Sequence, residues 1–158
     1  MRVYADTSFL VRLVTGEPGS RSAGAEYRSL GRPTIFFLSL HALEVTNAIR
    51  QRAFHVRRSA SAAERRTIKW ETEAALAMLG RFHSQRVFVE EFVDMDQAID
   101  TAKVLSERHT ERLGCRGFDL LHVALALELE CEVFLTADRV QGALARTEGM
   151  KATVSADE

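Results

Sequence analysis

The sequence predicts an α/β protein, a parallel β-sheet covered by helices, and three observations carry that prediction. Short runs rich in β-branched and aromatic residues alternate with longer stretches of helical periodicity, the order that builds a sheet from strand–helix–strand crossovers. The strand candidates are apolar at consecutive positions instead of alternating, as expected where both faces of a sheet are covered. Aspartates stand directly after two of these strand candidates, where open parallel sheets bind their ligands.

Taken in order, Val3-Tyr4-Ala5 is the first strand, and Asp6-Thr7-Ser8 supplies a turn and a cap for a helix carrying Phe9, Leu10 and Leu13. Glu17-Pro18-Gly19-Ser20 breaks the chain before a polar helix that runs to about Leu30. Thr34-Ile35-Phe36-Phe37-Leu38 reads as a buried strand. Ser39 is placed to cap a helix with Ala42, Val45, Ile49 and Ala53 on one face. The Ser-, Ala- and Arg-rich segment 57–66 predicts a mobile connection. A second long helix follows with the stripe Ala75, Met78, Leu79 and Phe82, making a helical hairpin over about 40–83.

Val87-Phe88-Val89 is the third strand, and Asp94 caps a helix bearing Met95, Ala98, Ile99, Ala102 and Leu105. A loop over 114–117 precedes a helix from Phe118 to Glu130. The strand 132–135 is followed by Thr136-Ala137-Asp138, which opens the last helix, and Lys151 to Val154 is a final strand. With no internal repeat and no low-complexity tract, the expectation is one domain over 1–158.

Of the 158 residues, 46% are hydrophobic and 27% charged, which excludes a disordered chain. The net charge of −1 excludes a globally basic protein, so any nucleic-acid contact must use a local patch. Cys115 and Cys131 are too few and too widely spaced for a zinc knuckle or disulfide framework, and read as free thiols in a reducing compartment. Asp6 falls where a signal peptide needs an apolar run. The most apolar stretch, Leu120 to Leu129, contains His122 and Glu128 and is far short of the roughly 18 residues of a membrane span. A soluble cytoplasmic protein is expected.

Four acids stand out. Asp6 and Asp138 follow strands, and each is also a good helix cap. Asp119 opens a helix apolar nearly all round, where burial costs more than the helix dipole returns unless a partner or cation compensates. Arg116 is the nearest basic residue and could be that partner. Glu44 sits at the edge of an apolar helix face, where simple exposure is the plainer reading. Gathered together, the four would repel one another unless a hard cation sat between them. Magnesium prefers such oxygen ligands.

The segments carrying these acids are similar to a known family. Val3-Tyr4-Ala5-Asp6-Thr7-Ser8-Phe9-Leu10 resembles the opening of PIN domains, and Leu43-Glu44-Val45-Thr46-Asn47-Ala48-Ile49-Arg50 resembles their glutamate helix. Arg116-Gly117-Phe118-Asp119-Leu120-Leu121-His122-Val123-Ala124 and Phe134-Leu135-Thr136-Ala137-Asp138 are similar to the third and fourth motifs, in the same order and spanning nearly the whole chain. The segment 52–70 is longer than in compact members, which bears on recognition more than on chemistry.

The resemblance implies a PIN-like three-layer α/β/α fold with a central, mostly parallel sheet of four to five strands. It implies a Mg²⁺-dependent endoribonuclease, with Mn²⁺ an alternative, often the VapC-type toxin of a toxin–antitoxin pair. Asp6, Glu44 and Asp119 would hold the metal, and Asp138 would complete the site directly or through water. Ser8 and Thr136 would support these ligands. RNA, a VapB-like antitoxin and a second copy of the chain are the implied partners. A PIN nuclease of RNA processing, or a catalytically silent PIN-fold binding module, are the alternatives.

Arg50, Arg52, Arg57, Arg58, Arg65, Arg66 and Lys69, with His55, are offset by Glu64. They make a solvated face, a phosphate-attracting surface or an antitoxin-docking surface, which the sequence does not separate. Arg116 either clamps a phosphate or tethers Asp119. His122, one turn after Asp119, is either a substrate contact or, as favoured here, a buried hydrogen-bonded histidine. Trp70 is read as packing. A phosphatase of the haloacid-dehalogenase type would need a second Asp where Ser8 stands, and no Gly-rich phosphate loop follows any strand.

Overall fold

The computed structural model describes residues 1–155, so the last three residues of the expected domain, 156–158, lie outside the described residues. The chain runs β1 (Val3–Ala5), α1 (Thr7–Val14), α2 (Ser20–Ser29), β2 (Ile35–Phe37), α3 (Ser39–Arg57), α4 (Ala62–Ser84), β3 (Phe88–Glu90), α5 (Met95–Leu113), α6 (Gly117–Glu128), β4 (Val133–Thr136), α7 (Arg139–Thr147) and β5 (Lys151–Val154). The strands form one sheet in the order β3-β2-β1-β4-β5. Every neighbouring pair is parallel, with Val3 opposite Ile35 on one side and Val133 on the other.

Alternate residues of each strand feed two separate cores. Val3, Ala5, Ile35, Phe37, Val133 and Leu135 pack with Phe9, Ala23, Val45, Ile49 and Leu79 from α1–α4. Tyr4 and Phe134 point the other way, into Ala98, Leu105, Val123, Leu125 and Leu144 from α5–α7. Helices therefore cover both faces of the sheet in three layers. The apolar strand runs were the sequence trace of that double burial.

Strand order is what positions the site. From the central β1 the chain builds outward through β2 and β3, then returns to build β4 and β5 on the opposite side. The carboxyl ends of β1 and β4 flank that reversal, and a crevice opens there because the connections leave in opposite directions. Asp6 follows β1, and Thr136 and Asp138 lie at and beyond the end of β4.

Several local readings need correction. The segment 57–66 is not a long mobile connection: α3 continues to Arg57, and α4 begins at Ala62 with Ser61 and Glu64 in a reciprocal cap. Ser61 Oγ accepts from Glu64 N–H, and Glu64 Oε2 accepts from Ser61 N–H. Ser39 does not cap α3, because Leu38 occupies the cap position and donates its N–H to His41 Nδ1 at 3.0 Å. The buried stripe of α3 is His41, Val45 and Ile49, while Ala42 is exposed. Trp70 is not packed away but 69% exposed on α4.

Candidate active site

Asp6 caps α1 and is fully buried. Its Oδ1 accepts from Phe9 N–H at 2.9 Å and from Ser8 Oγ at 2.7 Å, and its Oδ2 accepts from Thr136 Oγ1 at 2.7 Å. Burial pushes its pKa above the ordinary carboxyl range, against the hydrogen bonds of Thr136, Phe9 and Ser8 and the influence of His122. Ser8 and Thr136 both hydrogen-bond Asp6, and between them they link the end of β1 to the end of the adjacent β4. Ser8 Oγ accepts from Ala137 N–H at 2.8 Å, and Thr136 Oγ1 accepts from Asp138 N–H at 2.8 Å.

Asp138 caps α7 through Oδ1, which accepts from Val140 N–H at 2.7 Å and Gln141 N–H at 3.1 Å. Its Oδ2 faces the Arg116 guanidinium at 3.7 Å. Asp119 is buried at the start of α6, where Oδ2 accepts from Arg116 N–H at 2.8 Å and Oδ1 from Gln141 Nε2 at 3.2 Å. The same guanidinium lies 3.6 Å from Asp119, so Arg116 spans two acids while its side chain stays 82% exposed. Of the two roles open to Arg116, tethering is the one seen.

Glu44 is not an exposed surface glutamate. It reaches into the cleft from α3, and its Oε2 accepts from Thr7 Oγ1 at 2.7 Å and His122 Nε2 at 2.8 Å. Partial burial pushes its pKa up, but the bonds from His122 and Thr7 and the His122 charge outweigh this and hold the carboxyl below its ordinary value. A carboxylate can only accept, so Nε2 of His122 carries a proton, and Nδ1 makes the ring's second hydrogen bond, with the Tyr4 hydroxyl at 2.8 Å. His122 is therefore the buried, hydrogen-bonded residue that the sequence favoured, and its bond ends on a candidate metal ligand.

Asp6, Glu44, Asp119 and Asp138, from four separate segments, all line one open cleft of ≈ 540 Å³. Arg116 and His122 line it too. Arg50 and Arg52 do not: Arg50 faces the groove of the α3–α4 hairpin, and Arg52 pairs with Glu17 at 3.7 Å. The sequence reading missed Tyr4, Thr7, His41 and Gln141. For His41 and Thr7 there was a signal, a polar residue three positions before Glu44 on a buried helix face and a hydroxyl beside Asp6. For Gln141 there was none.

The donor chemistry of the cleft suits a hard divalent ion, being carboxylate, hydroxyl and amide oxygen. Gln141 Oε1 is buried beside Asp119 with no hydrogen-bond partner among the described residues, a lone acceptor that a cation or its water would satisfy. One expectation is modified. Among the described residues no three Asp, Glu, His or Cys side chains converge closely enough to hold an ion as they stand. The acids are already relieved by Arg116, His122, Ser8 and Thr136, so a divalent ion is not the sole remedy for their repulsion.

The PIN-domain family model matches residues 3–148, so the chain belongs to the PIN-domain family. PIN domains have a nuclease-type fold and typically use divalent metal ions. Among solved structures the chain is similar to that of PAE2754 from Pyrobaculum aerophilum, at 15% identity and a TM-score of 0.54, over 96% of this chain and 89% of that one. That likeness concerns the fold alone. No curated protein matches significantly. No helix among the described residues is long and apolar enough to cross a membrane.

Proposed function

We propose that the protein is a Mg²⁺- or Mn²⁺-dependent endoribonuclease of the cytoplasm, the toxin of a VapBC-like pair, working as a homodimer restrained by a VapB-like antitoxin. The observation that supports this most is the gathering of Asp6, Glu44, Asp119 and Asp138 in one cleft at the reversal point of the sheet. Asp6, Glu44 and Asp119 would hold the ion, with Asp138 completing its shell directly or through water. A bound divalent ion supplies an acidified water and neutralises charge building on the phosphoryl oxygens.

The chain's own residues supply the rest. Ser8 and Thr136 fix the Asp6 carboxylate, and Thr7 and His122 fix Glu44, so two ligands are oriented before any ion arrives. Arg116, at the exposed rim, is placed to exchange its carboxylates for a phosphate. A second reading, a silent binding module, is favoured by one observation: the exposed Arg116 guanidinium already lies between Asp119 and Asp138, at 3.6 and 3.7 Å.

Cleavage of single-stranded RNA separates the two. Activity with Mg²⁺ or Mn²⁺, silenced by chelator and lost in Asp6→Asn and Asp119→Asn, is the expected result. Undiminished cleavage in both variants would rule out this site, and no cleavage under any metal would favour the silent module. For the toxin role, a short reading frame for a DNA-binding protein directly beside the gene is expected, and an isolated gene would count against it.

A further inference from the structure

The α3–α4 hairpin carries a groove of ≈ 850 Å³ that the carboxylate cleft does not include. Arg50, Arg57 and Arg58 enter it from α3 and its cap, and Arg65 and Lys69 from α4. Among the described residues the only acid lining it is Glu73, which pairs with Lys69 at 3.8 Å. Among the described residues none of the four arginines has an acidic partner. On a chain of net charge −1 this is a local positive field, uncancelled where it stands.

The groove also holds a ring. Phe54 is 60% exposed, and the Arg58 guanidinium sits over it at 6.0 Å from the ring centre. An exposed aromatic, with the His55 ring edge-on to it at 5.3 Å, among guanidiniums that have no acidic partner among the described residues is the pairing that single-stranded nucleic acid uses, cations for phosphates and a ring for a base. An acidic polypeptide would use the cations but gain little from the ring.

Without an ion the cleft is lined by more acids than bases. Asp6, Glu17, Glu44, Asp119 and Asp138 line it against Arg12 and Arg116, so phosphates need anchoring elsewhere. On α3, Glu44 and Arg57 are about 20 Å apart along the axis and roughly 140° apart around it. The groove is therefore a separate face that a strand reaches by crossing the helix.

We infer that the α3–α4 groove is a binding track for single-stranded RNA, gripping phosphates with Arg50, Arg57, Arg58, Arg65 and Lys69 and stacking a base on Phe54. The inference rests on the ribonuclease reading for its choice of ligand, but its test does not need cleavage. Fluorescence anisotropy with a labelled oligouridine of about 12 nucleotides, within the site sizes such grooves occupy, is run on the full chain in chelator.

Neutralising Arg57, Arg58 and Arg65 to Gln, in a variant verified as folded by circular dichroism, should weaken binding about tenfold or more at low salt. It should also reduce the slope of log affinity against log salt by about 2, three contacts at about 0.7 each. Phe54→Ala should weaken binding several-fold and leave that slope unchanged. Lys103→Gln on α5, which lines neither the groove nor the cleft, should bind as the parent does.

Equal affinity and slope in the parent and the triple variant would overturn the inference, as would no RNA binding by the parent. So would displacement of the effect to polyglutamate, with RNA unaffected. Groove-dependent binding with no cleavage under any metal would support the track and sink the nuclease reading. Cleavage with groove-independent binding would do the reverse.

Discussion

Replacing His41 with phenylalanine tests how the buried side of the site responds to acid. The imidazole is fully buried, with Tyr4, Phe37 and His122 around it at ring distances of 4.9, 5.6 and 5.5 Å. Its Nδ1 accepts the N–H of Leu38, so the neutral ring carries its proton on Nε2, which has no partner among the described residues. Protonation must occur at Nδ1 and break the bond that caps α3. Burial, with the nearby His122, lowers the His41 pKa from 6.5 to about 3.

A basic group whose folded pKa is depressed takes up protons in the unfolded chain first, so its contribution to stability is lost as pH falls from 6.5 toward 3. Between pH 7.5 and pH 5 that loss comes to about 2 kcal/mol, a large share of the 5–15 kcal/mol typical of a domain. Urea denaturation across this range should show the parent losing about 2 kcal/mol more than His41→Phe. The variant begins lower by about 1–3 kcal/mol, because the Leu38 N–H loses its acceptor. Glu44, held below its ordinary value, contributes stability that is lost only as pH falls below 4.5, and so stays out of the window. Parallel stability curves for the two proteins down to pH 5 would refute the reasoning.

Thr136→Val keeps the shape of a buried side chain and removes the hydroxyl shared by Asp6 and Asp138. A cost of about 1.5–3 kcal/mol is expected at neutral pH from a lost bond to a carboxylate. Asp6 sits above its ordinary pKa of 3.8, so its ionisation costs stability as pH rises from 3.8 through the folded value, and losing its strongest donor deepens that cost. Denaturant titrations at pH 7.5 and pH 4.5 should give the larger deficit at pH 7.5. Gly142→Ala should cost about 1–3 kcal/mol by overpacking, because a Cβ there would stand 2.5 Å from Val154 Cγ2. Thermal unfolding of the double variant Gly142→Ala/Val154→Ala should recover part of that loss, and strict additivity would exclude the clash.

The sheet was legible because a strand covered on both faces cannot alternate polar and apolar residues, and Val3-Tyr4-Ala5 and Val133-Phe134-Leu135 do not. Arg57 to Arg66 misled because Ser59 and Ser61 suit a loop, whereas Ala and Arg are strong helix formers and Ser61 with Glu64 is a reciprocal cap. Trp70 misled because large apolar residues are usually inside, and here a long helix presents one to solvent. Tyr4 and Gln141 were out of reach for a different reason. Their roles come from hydrogen bonds that span 118 and 22 residues, and no local pattern encodes which side chain will arrive opposite.

For Asp6 and Asp138, capping and site membership look like rival readings, yet both describe the same side chains. Each aspartate satisfies orphaned N–H groups of the helix behind it with Oδ1. Each uses Oδ2 for a tertiary contact instead, with the buried Thr136 hydroxyl in one case and the Arg116 guanidinium at the rim in the other. The economy follows from topology. At the carboxyl end of a parallel strand the chain turns into a helix, and that helix start both demands an acceptor and stabilises negative charge. Two such turns meet where the strand order reverses, so residues chosen for capping are brought face to face. Asp119 joins them as a third helix start, its carboxylate returning to the N–H of Arg116. Only Glu44 comes from the second turn of a helix rather than its mouth. It is accordingly the one acid of the four that takes a histidine, His122, as a hydrogen-bond partner, while the other three lean on backbone N–H groups.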